Sequence, residues 1–178
     1  MNACRMGMTG GNVDNLTNQP DATRLIYGLR DTGYSFNTAA ADIIDNSIAA
    51  NATEVNVILE LRPDGRKFVC FGDNGDGMDA AGLFAAMRYG APARQNLASL
   101  GKFGLGLKTA STSVCLRLTV VSRKDPEQPL AKLAWDLEYV ESENEWVMLR
   151  EPVRGMDWRR PSVRGKPAHI LWPGKANT

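Results

Sequence analysis

Apolar residues that recur every three or four positions predict two helices within the first 50 residues. In the first helix, three apolar residues share one face, Asp21 can cap the start, and Gly33 can end it. The second helix covers about 37–50, opens at Asn37 or Thr38, and is rich in alanine, the residue with the strongest helix propensity. We therefore expect a pair of helices before the first strand.

Two extended runs follow and predict a β-hairpin. EVNVILEL occupies 54–61 and RKFVCFGD occupies 66–73, and both contain the β-branched and aromatic residues that strands favour. The intervening RPDG at 62–65 combines residue types that each favour a turn. The two runs are therefore predicted to pair as neighbouring antiparallel strands.

The rest of the chain is predicted to contain helices, loops and further strands. Helices over 79–89 and 103–114 flank a loop over 90–102, whose length makes it a candidate functional segment. Strands are predicted over 116–123, 130–138, 145–151 and 168–172, and a loop rich in Pro, Arg and Gly over 152–167. Hairpins and consecutive strands, with helices supplying the other layer, favour an α+β fold, a two-layer α/β sandwich, over a doubly wound parallel sheet.

Composition narrows the class of protein. The 178 residues carry a net charge of +1, so the length favours one domain and the charge provides no general attraction to nucleic acids or membranes. No stretch approaches the ~20 apolar residues of a membrane span, and the first residues lack the apolar core of a signal peptide. We therefore expect a soluble, cytoplasmic protein with no membrane partner. Residues 1–19 are expected to form a flexible arm and residues 20–178 one domain, which can be cut from a longer protein.

The three cysteines agree with a reducing compartment. Cys4, Cys70 and Cys115 are odd in number and lack metal-ligand spacing. Cys70 and Cys115 have apolar neighbours, so we expect reduced thiols inside the core.

The first candidate for chemistry lies in the second predicted helix. Asp42 and Asn46 are four residues apart, so a carboxylate and a carboxamide project from one stripe of the helix. Asn46 can offer Mg²⁺ an oxygen, and Asp42 can hold or deprotonate a water molecule. A solvated polar face of an amphipathic helix explains the same pattern.

The second candidate is the run GDNGDGM at 72–78. Asp73 ends an apolar strand and enters a glycine turn that lets a flat ligand approach the backbone. Its carboxylate can accept a hydrogen bond from an exocyclic amine. A plain turn remains an alternative, and a calcium loop is disfavoured because the run lacks the later glutamate of an EF-hand.

The third candidate is GKFGLGLKTAS at 101–111. Gly101, Gly104 and Gly106 precede or open a helix, where backbone N–H groups and the helix dipole attract anions, and Lys102 and Lys108 lie nearby. The run is neither a P-loop nor a dinucleotide fingerprint. A phosphate site and close helix packing are both compatible with it.

Together the three runs resemble the ATP-binding domain of the GHKL superfamily, which includes DNA gyrase B, the ninety-kilodalton heat-shock chaperone, histidine kinases and MutL. The resemblance is strong over about 20–123, and within the superfamily it is strongest to the Morc-type branch and its prokaryotic relatives. It implies a Bergerat-type fold, with a mixed, mostly antiparallel sheet, helices on one face, and a lid at 90–102 over ATP.

The resemblance also implies roles for individual residues. Asn46 would bind Mg²⁺, Asp73 would hold the adenine amino group, and Asp42 would activate water. The residues implied to contact the nucleotide are Asn46, Asp73, Gly75, Gly77, Met78, Lys102, Phe103, Gly104, Leu105, Gly106 and Lys108.

Three departures from the family pattern affect this expectation. Asp42 stands where the gyrase, MutL and chaperone branch has glutamate, and one methylene less can misplace the base by about 1 Å, at a cost on the order of 10²-fold in rate. Ala49 replaces a common aspartate, and the late Gly-Thr that touches the adenine-binding acid is replaced near Pro167 and Ala168.

These observations leave several functions open. The leading hypothesis is an ATPase, with slow hydrolysis, in which ATP and Mg²⁺ drive formation of a homodimer that acts as a switch or clamp, with a DNA or protein client bound through other domains. A nucleotide-sensing module with little or no hydrolysis is the alternative. A histidine kinase catalytic domain is disfavoured because the only histidine, His169, lies in a predicted late strand. Basic residues over 150–166 form either a nucleic-acid contact or a solvated loop.

Overall fold

Five helices and six strands make up the computed structural model, which describes residues 18–31, 33–89, 106–154 and 168–174. The helices are α1 (Ala22–Arg30), α2 (Phe36–Ala49), α3 (Ala80–Met87), α4 (Gly106–Val114) and α5 (Leu137–Glu143). The strands are β1 (Val55–Leu61), β2 (Lys67–Asp73), β3 (Arg117–Ser122), β4 (Ala131–Asp136), β5 (Leu149–Arg150) and β6 (Ala168–Gly174). None of the helices in these ranges is long and apolar enough to span a membrane.

The strands form one sheet with the order β1-β2-β6-β3-β4-β5. The predicted hairpin is present, and it pairs Val55 with Asp73 at one end and Leu61 with Lys67 at the other. The late strand β6 lies between this hairpin and the β3–β4 pair, and the described strand pairs are antiparallel. This arrangement confirms the predicted α+β class.

The main core lies on one face of the sheet. Phe71 of β2, Val120 of β3 and Trp135 of β4 are buried in one apolar cluster with Ile43 of α2 and Leu83 of α3. Strand residues alternate between faces, so a cluster that takes alternate residues from several strands defines a single packed face. The helices therefore cover this face, as expected for a two-layer sandwich.

The start of α2 differs from the prediction. Ser35, and not Asn37 or Thr38, is the N-cap, because its side-chain oxygen accepts a hydrogen bond from the Thr38 N–H at 3.2 Å. Asp21 caps α1 as predicted, and its carboxylate accepts from the Arg24 N–H at 2.8 Å.

The helix α5 was not predicted. The strand predicted over 130–138 ends at Asp136, whose carboxylate accepts a hydrogen bond from the Tyr139 N–H at 3.2 Å and caps the new helix. Glu138 in the first turn is favourable at a helix N-terminus, and Asn144 ends the helix in the left-handed conformation. The strand predicted over 145–151 is consequently reduced to β5.

The cysteine prediction is confirmed for the two cysteines that fall in described positions. Cys70 and Cys115 are buried, and neither forms a disulfide. Burial raises the pKa of Cys115 to about 12, so its thiol is protonated at neutral pH. Cys4 and most of the predicted arm lie outside the described residues.

Candidate functional site

The helix α2 carries the two residues predicted to handle a cation and water. The side-chain amide of Asn46 donates to the backbone carbonyl of Asp42 at 2.8 Å, one turn earlier. This bond uses the donor end of the amide and orients the side chain, so the amide oxygen is the group that Asn46 can offer to a cation. The two residues therefore share one stripe of the helix, as their spacing predicts.

Tyr34 is a contact of Asp42 that the sequence did not single out. Burial, followed by the negative charge of Asp42 and the interaction of its carboxylate with the Tyr34 hydroxyl, raises the pKa of Tyr34. Because the phenol is neutral at pH 7, its hydroxyl is a hydrogen-bond donor that can orient the Asp42 carboxylate. Tyr34 stands in the loop just before α2, where no periodicity marked it.

Asp73 is held at the end of β2 by two donors. Its Oδ2 accepts from the Ser47 hydroxyl at 2.9 Å, and its Oδ1 accepts from the Gly75 N–H at 2.9 Å. Each carboxylate oxygen has a further lone pair for a ligand. Ser47 is buried and directly follows Asn46 in α2, so the residue bonded to the predicted base-binding acid is the chain neighbour of the predicted metal ligand. Sequence reasoning missed Ser47, although its place beside Asn46 was the available signal.

The glycine turn after Asp73 is packed against the chain on both sides. The Asp76 N–H donates to the Ala50 carbonyl at 2.8 Å, and a Cβ on Gly75 would lie 2.7 Å from that same oxygen. Gly77 has φ +67°, and a Cβ there would lie 2.0 Å from the Arg123 carbonyl oxygen. Both glycines are therefore required by the local fold, which is the role that the plain-turn alternative predicted.

Met78 is positioned by the neighbouring strand. Its N–H donates to the hydroxyl of Ser122, at the end of β3, at 2.9 Å. Its side chain is half-buried and packs against the main core. The predicted contact of Met78 with a base stays a prediction.

The strand β6 passes directly beside Asp73. Ala168 is the residue opposite Asp73 in the register, and His169 is opposite Gly72 on one side and Val121 on the other. The hydroxyl group bonded to Asp73 comes from Ser47 on α2. His169 belongs to a strand between two others, as predicted, and not to a helical hairpin.

The predicted phosphate-binding run is described only from Gly106 onward. Gly106 is the first residue of α4, and Lys108 is buried, with its ammonium group donating to the Ala86 carbonyl of α3 at 2.8 Å. The other predicted phosphate contacts, Lys102, Phe103, Gly104 and Leu105, and the predicted lid at 90–102, lie outside the described residues. The phosphate-binding role of this run stays a prediction.

The donor set fits a cation that is partly coordinated by its ligand. The described residues contain no group of three or more His, Cys, Asp or Glu side chains that could hold a metal ion by themselves. Mg²⁺ usually keeps several waters and binds through one or two protein oxygens together with substrate phosphates. A single amide oxygen from Asn46 is compatible with such a site.

Comparison with known proteins agrees with this geometry. Residues 34–163 match the family model described as histidine kinase-, DNA gyrase B-, and HSP90-like ATPase. Over 91 residues, the chain is 33% identical to ATPase MORC2B of Mus musculus and 31% identical to ATPase MORC2 of Homo sapiens. Each alignment covers 49% of this chain and 9% of the relative, so the chain matches only a small part of either protein.

Proposed function

Since the chain belongs to the family of histidine kinase-, DNA gyrase B- and HSP90-like ATPases, we propose that it is an ATP- and Mg²⁺-binding domain that hydrolyses ATP slowly and acts as an ATP-driven dimerisation switch. The observation that carries the proposal is the bond between Ser47 and Asp73. It fixes a carboxylate with open acceptor positions through Ser47, the residue that follows Asn46, to which cation binding is assigned.

Adenine recognition is assigned to Asp73. The Ser47 hydroxyl and the Gly75 N–H orient its carboxylate, which can then accept a hydrogen bond from the exocyclic amine of adenine. Guanine presents a carbonyl oxygen at the equivalent position, and two acceptors facing each other leave both unsatisfied. The site is therefore expected to prefer ATP to GTP.

Water activation is assigned to Asp42, with Asn46 as the ligand of the ion. Bound Mg²⁺ would neutralise phosphate charge and orient the phosphates for attack. Asp42 can accept the proton of the attacking water, and the Tyr34 hydroxyl restricts the rotamers from which it does so. Hydrolysis is expected to be slow because aspartate is shorter than the glutamate of related families.

The action on a DNA or protein client is assigned to other parts of a longer protein. The matched MORC2 proteins extend far beyond the aligned region, which covers 9% of each. ATP-dependent association of two such domains would bring those further parts together, and a DNA or protein client would bind there. A nucleotide sensor without useful hydrolysis is the second candidate, and the short side chain at Asp42 favours it.

Binding and turnover can be separated with three variants of the purified protein. ATP affinity is measured by calorimetry with and without Mg²⁺, and phosphate release is measured at saturating ATP. Asp42→Asn is expected to retain ATP binding and lose phosphate release, while Asp73→Asn is expected to weaken ATP binding by ~10-fold or more. Asp125→Asn, in the exposed turn after β3, is the matched carboxylate control and is expected to behave as the wild type.

The outcomes distinguish the two candidates. If the wild type binds ATP but shows no phosphate release above background, and Asp42→Asn leaves that release unchanged, the hydrolase is ruled out and the sensor remains. If Asp73→Asn binds ATP as tightly as the wild type does, the proposed nucleotide site is ruled out. The switch requires that sedimentation with a non-hydrolysable ATP analogue and Mg²⁺ gives a larger assembly than sedimentation without nucleotide.

A further inference from the structure

The outer edge of β1 exposes an apolar stripe. Within the described ranges, β1 ends the strand order and has a strand neighbour on one side only. The exposed fractions of Val57, Leu59 and Leu61 are 47%, 69% and 71%, so this is the largest run of exposed apolar side chains on any described strand. The pairing with β2 continues without interruption from Val55 to Leu61, so no bulge disrupts the strand.

The backbone of the same residues faces outward. The Arg62 N–H donates to the Arg66 carbonyl, and the Glu54 carbonyl accepts from the Asn74 N–H, so these two residues direct their backbone groups toward β2. Successive residues of an antiparallel strand direct their backbone N–H and C=O groups to opposite sides. The backbone groups of Val57 and Leu59 therefore point toward the open edge. Natural edge strands are usually protected by Pro, charged side chains, bulges or short length, and within its seven residues VNVILEL has one of these, the charge of Glu60.

The sequence of β1 is complementary to itself in the antiparallel direction. A twofold axis through Ile58 places Val57 opposite Leu59, Val55 opposite Leu61, Asn56 opposite Glu60, and Glu54 opposite Arg62. Apolar residues thus face apolar residues, and each copy places an acid against a base. Cross-strand pairs of these two kinds stabilise sheets.

Neighbouring registers lack this match. An axis through Leu59 would place Ile58 opposite Glu60, and an axis through Val57 would place Glu54 opposite Glu60. The first pairs an apolar side chain with a charge, and the second pairs two like charges. One register is therefore favoured.

We propose that β1 is a homodimerisation edge, at which two copies of this chain pair antiparallel about Ile58 to form one continuous sheet. The occupant is a second copy because the charge and apolar patterns of β1 complement β1 itself, as a twofold interface requires. The contact uses no residue assigned to nucleotide binding, so it forms without ATP and goes beyond the proposed function.

Sedimentation of the nucleotide-free protein over a range of concentrations tests the proposal. The wild type is expected to approach twice the chain mass of 19.4 kDa as its concentration rises. Leu59→Lys places a charge opposite Val57 and is expected to raise the dissociation constant by ~10-fold or more. Leu25→Lys replaces an exposed leucine of α1 and is the matched control, with no expected change.

A charge exchange tests the register. Glu54→Arg and Arg62→Glu are each expected to weaken association, because each creates a like-charge pair, and the double variant is expected to recover it. Since Arg62 also bonds Glu60 and lies over the Phe68 ring at 3.9 Å, melting curves are recorded to show that each variant is folded.

Disulfide trapping locates the axis directly. In a Cys4→Ser background, Ile58→Cys places two thiols opposite each other at a non-hydrogen-bonded pair, where the Cα atoms are about 4.5 Å apart. Leu59→Cys is the control. Residue 59 is more exposed than residue 58, but in this register it lies diagonally across from residue 59 of the second copy, at a separation of about 7–8 Å. Faster cross-linking at position 58 supports the proposal.

The proposal is overturned if the wild type sediments as a monomer at every concentration, if Leu25→Lys dissociates the dimer as Leu59→Lys does, or if position 59 cross-links faster than position 58. ATP affinity measured on Leu59→Lys separates this proposal from the proposed function. Unchanged affinity in a monomeric variant shows that the edge and the nucleotide site act independently.

Discussion

The hydroxyl of Ser47 lies 2.9 Å from Oδ2 of Asp73, and this bond joins the last turn of α2 to the end of β2. The two residues are 26 positions apart in the chain, yet they connect the candidate cation ligand, Asn46, to the candidate base-binding acid. A change at either residue is therefore expected to affect both parts of the site.

Removing this hydroxyl should weaken ATP binding. Hydrogen bonds to charged groups contribute about 1.5–3 kcal/mol, and Ser47→Ala leaves Asp73 with one of its two described donors. We expect ATP affinity to fall by ~10-fold, measured by calorimetry. Ser142→Ala, which removes a hydroxyl bonded to the Tyr139 carbonyl on α5, is the control and should bind ATP as the wild type does. Equal affinity in Ser47→Ala and Ser142→Ala would contradict the coupling.

Tyr34 should control the rate more than the affinity. Tyr34→Phe removes the hydroxyl that interacts with the Asp42 carboxylate and keeps the ring that packs against the core. Misplacement of a general base by about 1 Å can cost on the order of 10²-fold, so we expect kcat for phosphate release to fall by ~10-fold or more. KM for ATP should change little, because Tyr34 is not assigned to nucleotide binding. Tyr139→Phe, on the exposed face of α5, is the matched control. A fall in affinity with unchanged kcat would show that Tyr34 shapes the pocket instead.

Much of the fold could be predicted from local pattern. The hairpin from Val55 to Asp73 was recognisable because its turn and both strands carry strong signals within twenty residues. The helix α5 was missed because its apolar residues, Leu137 and Val140, continue the apolar run of β4, and only the cap at Asp136 separates the two elements.

The polar residues of the candidate site could be predicted from the sequence, but the residues that contact and orient them could not. Asp42, Asn46 and Asp73 belong to recognisable runs, whereas Ser47 and Tyr34 acquire their roles from contacts that depend on how α2 packs. Hydroxyl groups in a helix or a loop have no pattern that indicates their partner.

Gly77 should be among the least replaceable residues near the site. It has φ +67°, and an added Cβ would lie 2.0 Å from the Arg123 carbonyl oxygen, so Gly77→Ala forces both a strained conformation and a backbone shift. We expect it to lower the free energy of unfolding by about 2–4 kcal/mol, measured by urea denaturation.

The matched control for that change is another glycine. Gly28 lies within α1, and an added Cβ there meets nothing within 4 Å. Gly28→Ala should therefore raise the free energy of unfolding by about 0.5–1 kcal/mol, because alanine is the better helix former. If both variants are stabilised, Gly77 does not lie as close to the Arg123 carbonyl oxygen as the structure places it.

An ion-pair cluster at the far edge of the sheet should make stability depend on pH. Glu151 bonds Arg117, and its Oε2 lies 3.1 Å from the Lys132 ammonium. Burial raises the pKa of Glu151, but the hydrogen bonds from Lys132 and Arg117 outweigh burial and leave the pKa below its usual value of 4.5. A carboxylate with a lowered folded-state pKa stabilises the fold above its unfolded pKa, and that contribution is lost as the pH falls through the folded pKa.

The variant Glu151→Gln measures this contribution. At neutral pH it should lower the free energy of unfolding by about 1–3 kcal/mol, because Lys132 and Arg117 lose a partly buried partner. As the pH falls through the lowered pKa of Glu151, the wild-type carboxyl becomes protonated and the difference between the two proteins should shrink toward zero. Urea denaturation over that range provides the measurement, with Glu127→Gln in the exposed β3–β4 turn as control. A difference that stays constant with pH would mean that Glu151 acts through packing and not through its charge.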